Sequence, residues 1–409
     1  MTDLLARRSN PSSNELLKHQ GNLVTEGFRN LISKYGTDEE QSNYSHCLGD
    51  SSVEHIAFHK ELSDRLHSNL LPLLRRLIIK LSQELDPINL AGKPLFTLDI
   101  ILRVQFQLEY TLKQFPGALQ ILCMVIFPFH SGRTNDQYIG NCKYFRGDGL
   151  FALYTEGVIG EITKLFEKSC ELIEQMGLSY EINRGQPHID TIRESIIEHT
   201  SSACKEIDST IGWLEGSELD LVQWGWPTVI NGIDDQLKEL SSFINRTPLD
   251  EGDSELMNEP LNEHNEKIAK TIPPIVKLSR LLLKKLSTRG MNQKRLQSCT
   301  GMRSDQLRSL RNLAANVSNN LDEFIADLKA ADRSGRDVAG LVIMKTAGAL
   351  IDHFTSSWFL ISTYFVPLIP DNKDFSVQNY YRTWFVTWFD HFRLAINQLE
   401  EASKTIRWR

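Results

Sequence analysis

Apolar residues recur at alternating intervals of three and four positions along most of the chain. This spacing gathers the apolar side chains on one side of an α-helix, and no sustained strand-like alternation interrupts it. Helices are predicted at residues 14–34, 52–85, 95–127, 142–176, 188–213, 230–245, 263–288, 303–331, 335–366 and 376–404. The pattern therefore predicts an all-α fold of about ten amphipathic helices, arranged as two packed helical bundles.

The last predicted helix is the richest in aromatic residues. Its apolar stripe consists of Tyr381, Phe385, Trp388, Phe392, Ala395 and Leu399. We interpret five rings as a structural seam that fills the interface between the last two helices: Tyr381, Trp384, Phe385, Trp388 and Phe392. Large rings commonly fill such contacts between packed elements. A ring-lined ligand cavity and a groove for a partner are the alternative interpretations.

Two other stripes are unusually regular. The first is Leu66, Leu70, Leu73, Leu77 and Leu81, and the second is Leu307, Leu310, Ala314, Val317, Leu321, Phe324 and Leu328. The second spacing is typical of a helix packed in a bundle. Pro72 is expected near a first turn or a kink, and Pro116-Gly117 is expected to bend or break the third helix. The glycines of Arg146-Gly147-Asp148-Gly149 are interpreted as turn residues.

An acidic segment separates the two predicted bundles. Between residues 246 and 262 the acidic residues accumulate, large apolar residues are few, and Arg246 is the only base. Such a composition favours a solvated linker. The predicted organisation is an N-terminal bundle at residues 1–245, an acidic linker at 246–262, and a C-terminal bundle at 263–409.

Beyond that segment the charge inverts over residues 275–311. The candidates for binding an anionic partner there are Lys277, Arg280, Lys284, Lys285, Arg289, Lys294 and Arg295. Nucleic acid and acidic lipid headgroups are the partners that such a stretch would suit. The stretch contains no aromatic residue for stacking on bases, and the simpler interpretation is a solvated helix face. The net charge of −7 argues against a chain that coats nucleic acid over its whole surface.

Two patterns resemble metal sites. His55 and His59 lie one helical turn apart, but Ile56 stands where a metalloprotease helix carries glutamate. Asp234 and Asp235, with Glu239, resemble the aspartate-rich magnesium helix of terpenoid synthases, although no second metal helix accompanies them. Solvated helix faces and an acidic first turn explain these residues equally well. We predict no metal, no cofactor and no catalytic residue.

The cysteines and the N-terminus bear on the cellular compartment. The six cysteines are scattered, with no CxxC motif, which favours reduced thiols in an intracellular protein, cytoplasmic or nuclear. The first residues lack the apolar core of a secretory signal. The stretch from His353 to Pro370 has no Asp, Glu, Lys or Arg, but it is short for a bilayer and is predicted to be a buried helix.

Short motifs in the last third resemble a known family. Gly348-Ala349-Leu350-Ile351-Asp352-His353-Phe354, then Pro367-Leu368-Ile369-Pro370, then Tyr380-Tyr381-Arg382-Thr383-Trp384-Phe385-Val386-Thr387-Trp388 resemble the C-terminal signature of a large uncharacterised helical family expanded in rust-type plant-pathogenic fungi. Leu85-Asp86-Pro87 is similar as well. More distantly, the long helices resemble cyclin-D-binding and vinculin-like bundles. The resemblance implies an all-helical fold and an interaction role, and it supplies no catalytic residues.

The sequence therefore predicts a non-enzymatic helical interaction or scaffold protein that binds partners, most simply another protein, through helix surfaces. One alternative is a helical enzyme or small-ligand binder with a pocket between helices. The other is a polyanion-binding module that uses residues 275–311.

Overall fold

The computed structural model describes residues 13–36, 53–123, 135–180, 188–247, 261–287, 290–292, 296–371 and 376–404. Within these residues there are helices and turns but no strand, which confirms the all-α prediction. The helices are α1 (Ser13–Tyr35), α2 (Val53–Arg65), α3 (Leu71–Glu84), α4 (Pro87–Gly92), α5 (Pro94–Leu112), α6 (Phe115–Cys123), α7 (Tyr144–Ala152), α8 (Gly160–Gln175), α9 (Ile189–Glu215), α10 (Glu218–Val222), α11 (Trp226–Asn245), α12 (Glu263–Leu286), α13 (Ser304–Arg311), α14 (Leu313–Arg333), α15 (Gly340–Leu360) and α16 (Val377–Lys404). In this described part, no helix is both long enough and apolar enough to cross a membrane.

Contacts divide the chain into two compact units. Unit 1 takes the described residues of Met1–Pro128 and Asn141–Glu215, and unit 2 takes those of Phe129–Gly140 and Gly216–Arg409. This division falls before α11, whereas the predicted linker at 246–262 falls after it. The physical reason is that α11 packs on α12 and α14. Most of the acidic segment lies outside the described residues.

Unit 1 is a ring of five long helices. Going round the ring, α5 packs on α1, α1 on α8, α8 on α9, α9 on α3, and α3 on α5. Each helix turns its apolar stripe inward, so fully buried residues such as Phe28, Leu74, Leu108, Phe166 and Ile207 form one core. The core of unit 1 is thus built from one stripe per helix.

Proline positions explain how the first helices are divided. A π-helical turn at Leu66–Leu70 joins α2 to α3, and Pro72 follows it in the first turn of α3, where the missing N–H of the proline interrupts the regular hydrogen bonding of the helix. In the predicted leucine stripe Leu73 is half-buried, whereas its four partners are buried. The predicted helix at 95–127 divides into α5 and α6 just before Pro116, which confirms the expected break.

The glycines of the Arg146–Gly149 stretch lie inside α7 rather than in a turn, which corrects their interpretation. Gly149 faces the ring of Trp213, and a Cβ at this glycine would lie 2.1 Å from Trp213 Cζ2. Trp213 is buried and donates a hydrogen bond from Nε1 to the Arg146 carbonyl at 2.9 Å. The glycine is therefore needed because α9 brings an indole against the backbone of α7.

This close approach yields a stability prediction. We expect Gly149→Ala to lower the free energy of unfolding by about 1–3 kcal/mol, since the new Cβ would overlap the Trp213 ring and any shift of the ring disturbs its hydrogen bond to the Arg146 carbonyl. Chemical denaturation followed by circular dichroism measures the change. The matched control is Gly160→Ala in α8, where a Cβ would meet nothing within 4 Å, and it should leave stability unchanged or raise it slightly. Equal effects from the two substitutions would contradict the packing argument.

Unit 2 is a bundle of four helices with a fifth packed against it. Its four sides are formed by α12 on α16, α16 on α15, α15 on α14, and α14 on α12, while α11 packs on α12 and α14. All seven positions of the predicted stripe from Leu307 to Leu328 are buried, although the stripe passes through a break between α13 and α14 at Asn312. Residues 135–140 also belong to this unit, where the buried Asp136 accepts a hydrogen bond from Ser304 N at the start of α13.

The aromatic stripe of α16 lies in the contact with α12 and α15. Trp388 is 3% exposed and donates from Nε1 to the Leu278 carbonyl of α12 at 2.9 Å. Its ring meets Phe354 of α15 edge-on, with centroids 5.1 Å apart, and stacks on Phe392 at the same distance. Phe385 stacks on Trp358 at 4.0 Å. These rings therefore fill the interior of unit 2.

Removing the central ring tests this packing. We expect Trp388→Ala to cost about 3–5 kcal/mol of unfolding free energy, because it empties a buried volume and removes the indole hydrogen bond to the Leu278 carbonyl. The control on the same helix is Val386→Ala, whose side chain is 58% exposed and whose loss should change stability by less than about 0.5 kcal/mol. A fully stable Trp388→Ala protein would exclude a structural role for the seam.

Candidate functional site

Helix α5 carries large apolar residues on two of its sides, and only one side faces the core. The inward stripe is Leu98, Ile101, Val104, Leu108 and Leu112, all fully buried. The outward positions, which we call the α5 stripe, are Phe96, Asp99, Arg103, Phe106 and Tyr110. They follow the alternating spacing of three and four that keeps side chains along one line of a helix. The helix therefore presents a second continuous face away from the unit 1 core.

The rings of the α5 stripe are unusually exposed. Phe96 is 63%, Phe106 72% and Tyr110 66% exposed. Single exposed apolar residues are common, but three large rings along one helical line form a patch of the kind found at interaction sites. Between them, Arg103 Nη2 and Asp99 Oδ2 form an ion pair at 2.7 Å. The stripe thus combines exposed rings with one internally neutralised charge pair.

The surroundings of the α5 stripe resemble an interface in their arrangement. A shallow depression lies at its N-terminal end, lined by Lys93, Pro94, Leu95 and Phe96. At the other end, Lys34 of α1 forms an ion pair with Glu109, and this hydrogen bond raises the pKa of the Lys34 ammonium above its ordinary value. The exposed rings of the α5 stripe are thus bordered by charged groups, and apolar side chains beside charged ones are common at protein-binding surfaces.

In unit 2, the structure brings together two sets of candidates that the sequence treated separately. Lys285, a candidate for anion binding, donates from Nζ to the Tyr380 hydroxyl at 2.6 Å. The same Nζ lies 4.5 Å from the ring centroid of Tyr380 and 5.4 Å from those of Tyr381 and Trp384. Burial, with a smaller contribution from Tyr380, raises the pKa of the Tyr381 phenol. The Lys285 ammonium therefore makes intramolecular contacts with aromatic rings of α16.

The other basic candidates differ in what their side chains contact. Arg280 is ion-paired with Asp234 of α11, with Nη2 and Oδ2 at 2.7 Å. Lys277 and Lys284 are exposed on α12. Three more candidates lie outside the described residues: Arg289, Lys294 and Arg295. The described part of the basic stretch thus divides between intramolecular contacts and solvated side chains.

The contacts of Lys285 predict a difference between two adjacent lysines. We expect Lys285→Gln to lower the free energy of unfolding by about 1 kcal/mol, because the ring contacts need a cation. Lys284→Gln, on the exposed side of the same helical turn, should stay within about 0.5 kcal/mol of the wild type. Urea denaturation monitored by tryptophan fluorescence compares them. Equal unfolding free energies for the two variants would show that the packing of the α16 rings does not depend on the Lys285 ammonium.

The histidine candidates occupy unit 1. His59 is buried, and its Nε2 lies 3.3 Å from the Leu122 carbonyl oxygen. The structure describes the backbone of His55, which belongs to α2, but not its side chain. Across the described residues, no group of three or more His, Cys, Asp or Glu side chains is placed to hold a metal ion. What the structure shows for His59 is a packing position beside α6.

The acidic candidates of α11 point to different partners. Asp234 pairs with Arg280, Asp235 with Lys238 at 2.7 Å, and Glu239 with Lys329 at 2.6 Å. A magnesium site needs carboxylates that converge on one point. In this arrangement each carboxylate is instead neutralised by a separate cation, and Arg280 and Lys329 tie α11 to α12 and α14.

A small cleft in unit 1 contains several polar side chains. It is lined by His59, Ser63, Leu122, Asn141, Arg146, Gly147, Leu150, Trp213 and Leu214, and its volume is about 40 Å³. This volume accommodates one or two water molecules, whereas sites for small molecules are about 300–1,000 Å³. The cleft is therefore too small for a metabolite in the described conformation.

The α5 stripe was missed in the sequence, although its spacing is visible there. The sequence predicts one long helix at 95–127, and this prediction does not distinguish Phe96, Phe106 and Tyr110 from the other apolar residues. Periodicity places residues on faces of a helix but does not say which face meets the core when both are apolar. The sequence feature that indicates a second face is the set of aromatic residues offset from the leucine and isoleucine stripe.

Comparison with known proteins follows the division into units. Residues 59–215 match the model of a domain of unknown function (DUF8723), and residues 217–401 match the model of another domain of unknown function (DUF8721). The two matches meet where unit 1 gives way to unit 2. No curated protein and no solved structure matches the chain significantly.

Proposed function

We propose that the chain is a non-enzymatic helical interaction protein that binds a partner protein through a helix surface, and that the α5 stripe of unit 1 is this surface. The observation that carries the proposal is the exposure of Phe96, Phe106 and Tyr110 along one line of a helix whose opposite face is fully buried. These rings contribute little to the core, and their clustering at the surface favours a role in binding.

The size of the patch sets the kind of interaction. Burying a large ring removes about 150–250 Å² from water, so the three rings offer on the order of 400 Å² of apolar area. A standard interface buries about 800 Å² on each partner. The α5 stripe would therefore form the centre of a modest, reversible interface, with the ion pair of Asp99 and Arg103 giving direction to the contact.

The two alternative functions have less support from the described residues. The cleft beside His59 is too small to support the enzyme alternative, and the larger depression beside Phe96 is shallow, with Lys93 as its one ionisable lining residue. Of the four described candidates for anion binding, Arg280 and Lys285 make intramolecular contacts, which leaves Lys277 and Lys284 for the polyanion alternative. An interaction role needs neither feature.

The proposal extends to the setting of the protein. We place the chain in the cytoplasm or nucleus, which is supported by the burial of Cys142, Cys170 and Cys204 as small apolar residues of unit 1. Kinship with the helical family of rust-type fungi, and more distantly with cyclin-D-binding and vinculin-like bundles, remains part of this proposal and rests on the sequence motifs.

Site-directed photo-crosslinking tests the surface. The photoreactive residue p-benzoylphenylalanine replaces Phe106 in the full chain, in cells that express it, and irradiation traps whatever protein contacts that position. We expect a discrete crosslinked product, because a ring at this position would be buried by the partner. Gel mobility and mass spectrometry of the product report the partner.

A second position controls for random collisions. The same photoreactive residue at Tyr138 of unit 2, which is 87% exposed, should give no discrete product. Phe106→Ser should abolish the product formed from position 96 while leaving the unfolding transition unchanged, since an exposed ring contributes little to folding. Failure to trap any protein from positions 96, 106 and 110 would reject the proposed function.

A further inference from the structure

Four of the five residues of the α5 stripe occupy positions that are symmetric about Ile101. Asp99 and Arg103 lie two residues before and after Ile101, and Phe96 and Phe106 lie five residues before and after it. The pattern therefore reads ring, acid, base, ring in one direction and ring, base, acid, ring in the other. Such a surface complements a copy of itself when the two helices run antiparallel, because a two-fold axis exchanges the two halves.

We propose that the partner of the α5 stripe is a second copy of this chain, packed with its α5 antiparallel about a two-fold axis at the level of Ile101. This inference rests on the proposed function and names its partner. In this pairing, Asp99 of each chain meets Arg103 of the other, and Phe96 of each chain meets Phe106 of the other. The four contacts repeat in pairs, as an isologous interface requires.

A parallel pairing of the same stripes is disfavoured by charge. In register, it would set Asp99 against Asp99 and Arg103 against Arg103 of the second chain, and like charges placed together cost free energy. The antiparallel pairing replaces both repulsions with attractions. The charge pair therefore selects one orientation out of the two that the rings alone would permit.

The depression beside the stripe supports the same register. Tyr110 lies nine residues after Ile101, and the position nine residues before it is Gly92. Directly after Gly92 comes the depression lined by Lys93, Pro94, Leu95 and Phe96. The antiparallel pairing thus brings the exposed Tyr110 ring of one chain to the depression of the other, where an apolar floor and a lysine suit a phenol.

The extent of the stripe predicts a weak dimer. With on the order of 400 Å² of ring surface from each chain, the contact is smaller than a standard interface. We expect a dissociation constant in the micromolar range, which sedimentation velocity measures from the concentration dependence of the full-length protein. The wild type should shift from monomer to dimer as its concentration rises through that range.

Charge reversal tests the orientation. Asp99→Arg places a second guanidinium against Arg103 of the other chain, twice per dimer, and Arg103→Asp creates the corresponding acidic clash. Each single variant should weaken the dimer about tenfold or more. The double variant Asp99→Arg with Arg103→Asp restores both cross-chain pairs and should dimerise like the wild type. An equimolar mixture of the two single variants should also form a dimer, since the basic stripe then meets the acidic one.

A matched control separates register from general charge attraction. Glu263 and Lys267 form another exposed pair four residues apart, on α12 of unit 2, with Nζ and Oε1 at 2.9 Å. Glu263→Arg and Lys267→Asp change the net charge of the chain in the same way as the α5 variants. They should leave the wild-type dimer intact. All variants should keep the wild-type unfolding transition, because the altered side chains are exposed.

The outcomes distinguish the two proposals. A wild type that stays monomeric throughout the micromolar range overturns the dimer, as does a dimer that survives both single reversals. A mixture of the single variants that stays monomeric overturns it too. If photo-crosslinking at position 106 joins the chain to a different protein while sedimentation shows a monomer, the interaction function stands and the dimer falls. A crosslink between two copies of the chain supports both.

Discussion

Burial of a single apolar stripe per helix is the constraint on which both units depend. A helix in a ring or a bundle has one side toward the core, and the described helices place their leucines, isoleucines and large rings on that side. In unit 1 this produces a closed arrangement of five helices. In unit 2 the Trp388 side chain of α16 lies in the contact with α12 and α15. Any second apolar stripe on the same helix must then face away from the core, which is the position of the α5 stripe.

Electrostatic contacts in unit 2 follow this packing rather than determine it. Once α11, α12 and α14 are placed by their cores, Asp234 meets Arg280 and Glu239 meets Lys329 across adjacent helices. The same placement brings Lys285 among the rings of α16. Exposed ion pairs contribute little on their own, but pairs between helices penalise slips in register. Some residues of the basic stretch, which the sequence suggests as a binding face, thus form contacts between the helices of unit 2.

The fold was predictable because spacing reports directly on which side of a helix is apolar. Every position of the stripe from Leu307 to Leu328 is buried, and so is the α16 stripe from Tyr381 to Leu399. The division between units was harder to predict, since composition reports solvation and not which helices touch. Residues 246–262 look like a linker in composition, yet α11 before them already packs with unit 2. The candidate site could be predicted only in part, because the exposure and the contacts of its residues depend on helices that are distant in the sequence. The sequence contains Gly149 but no sign that Trp213 lies against it, and the exposure of the α5 rings is decided by the neighbours α1 and α3.

Exposed rings carry a cost that the fold of a single chain does not recover. Phe106 at 72% exposure contributes little to the core of unit 1 while leaving apolar surface in water, which favours association. A charge pair at the centre of such a stripe limits how tight that association becomes, because Asp99 and Arg103 must lose water when they are covered. It also penalises partners and orientations that leave either charge without its complement. Rings that drive contact, with a central pair that restricts it, suit an interaction that forms selectively and comes apart again.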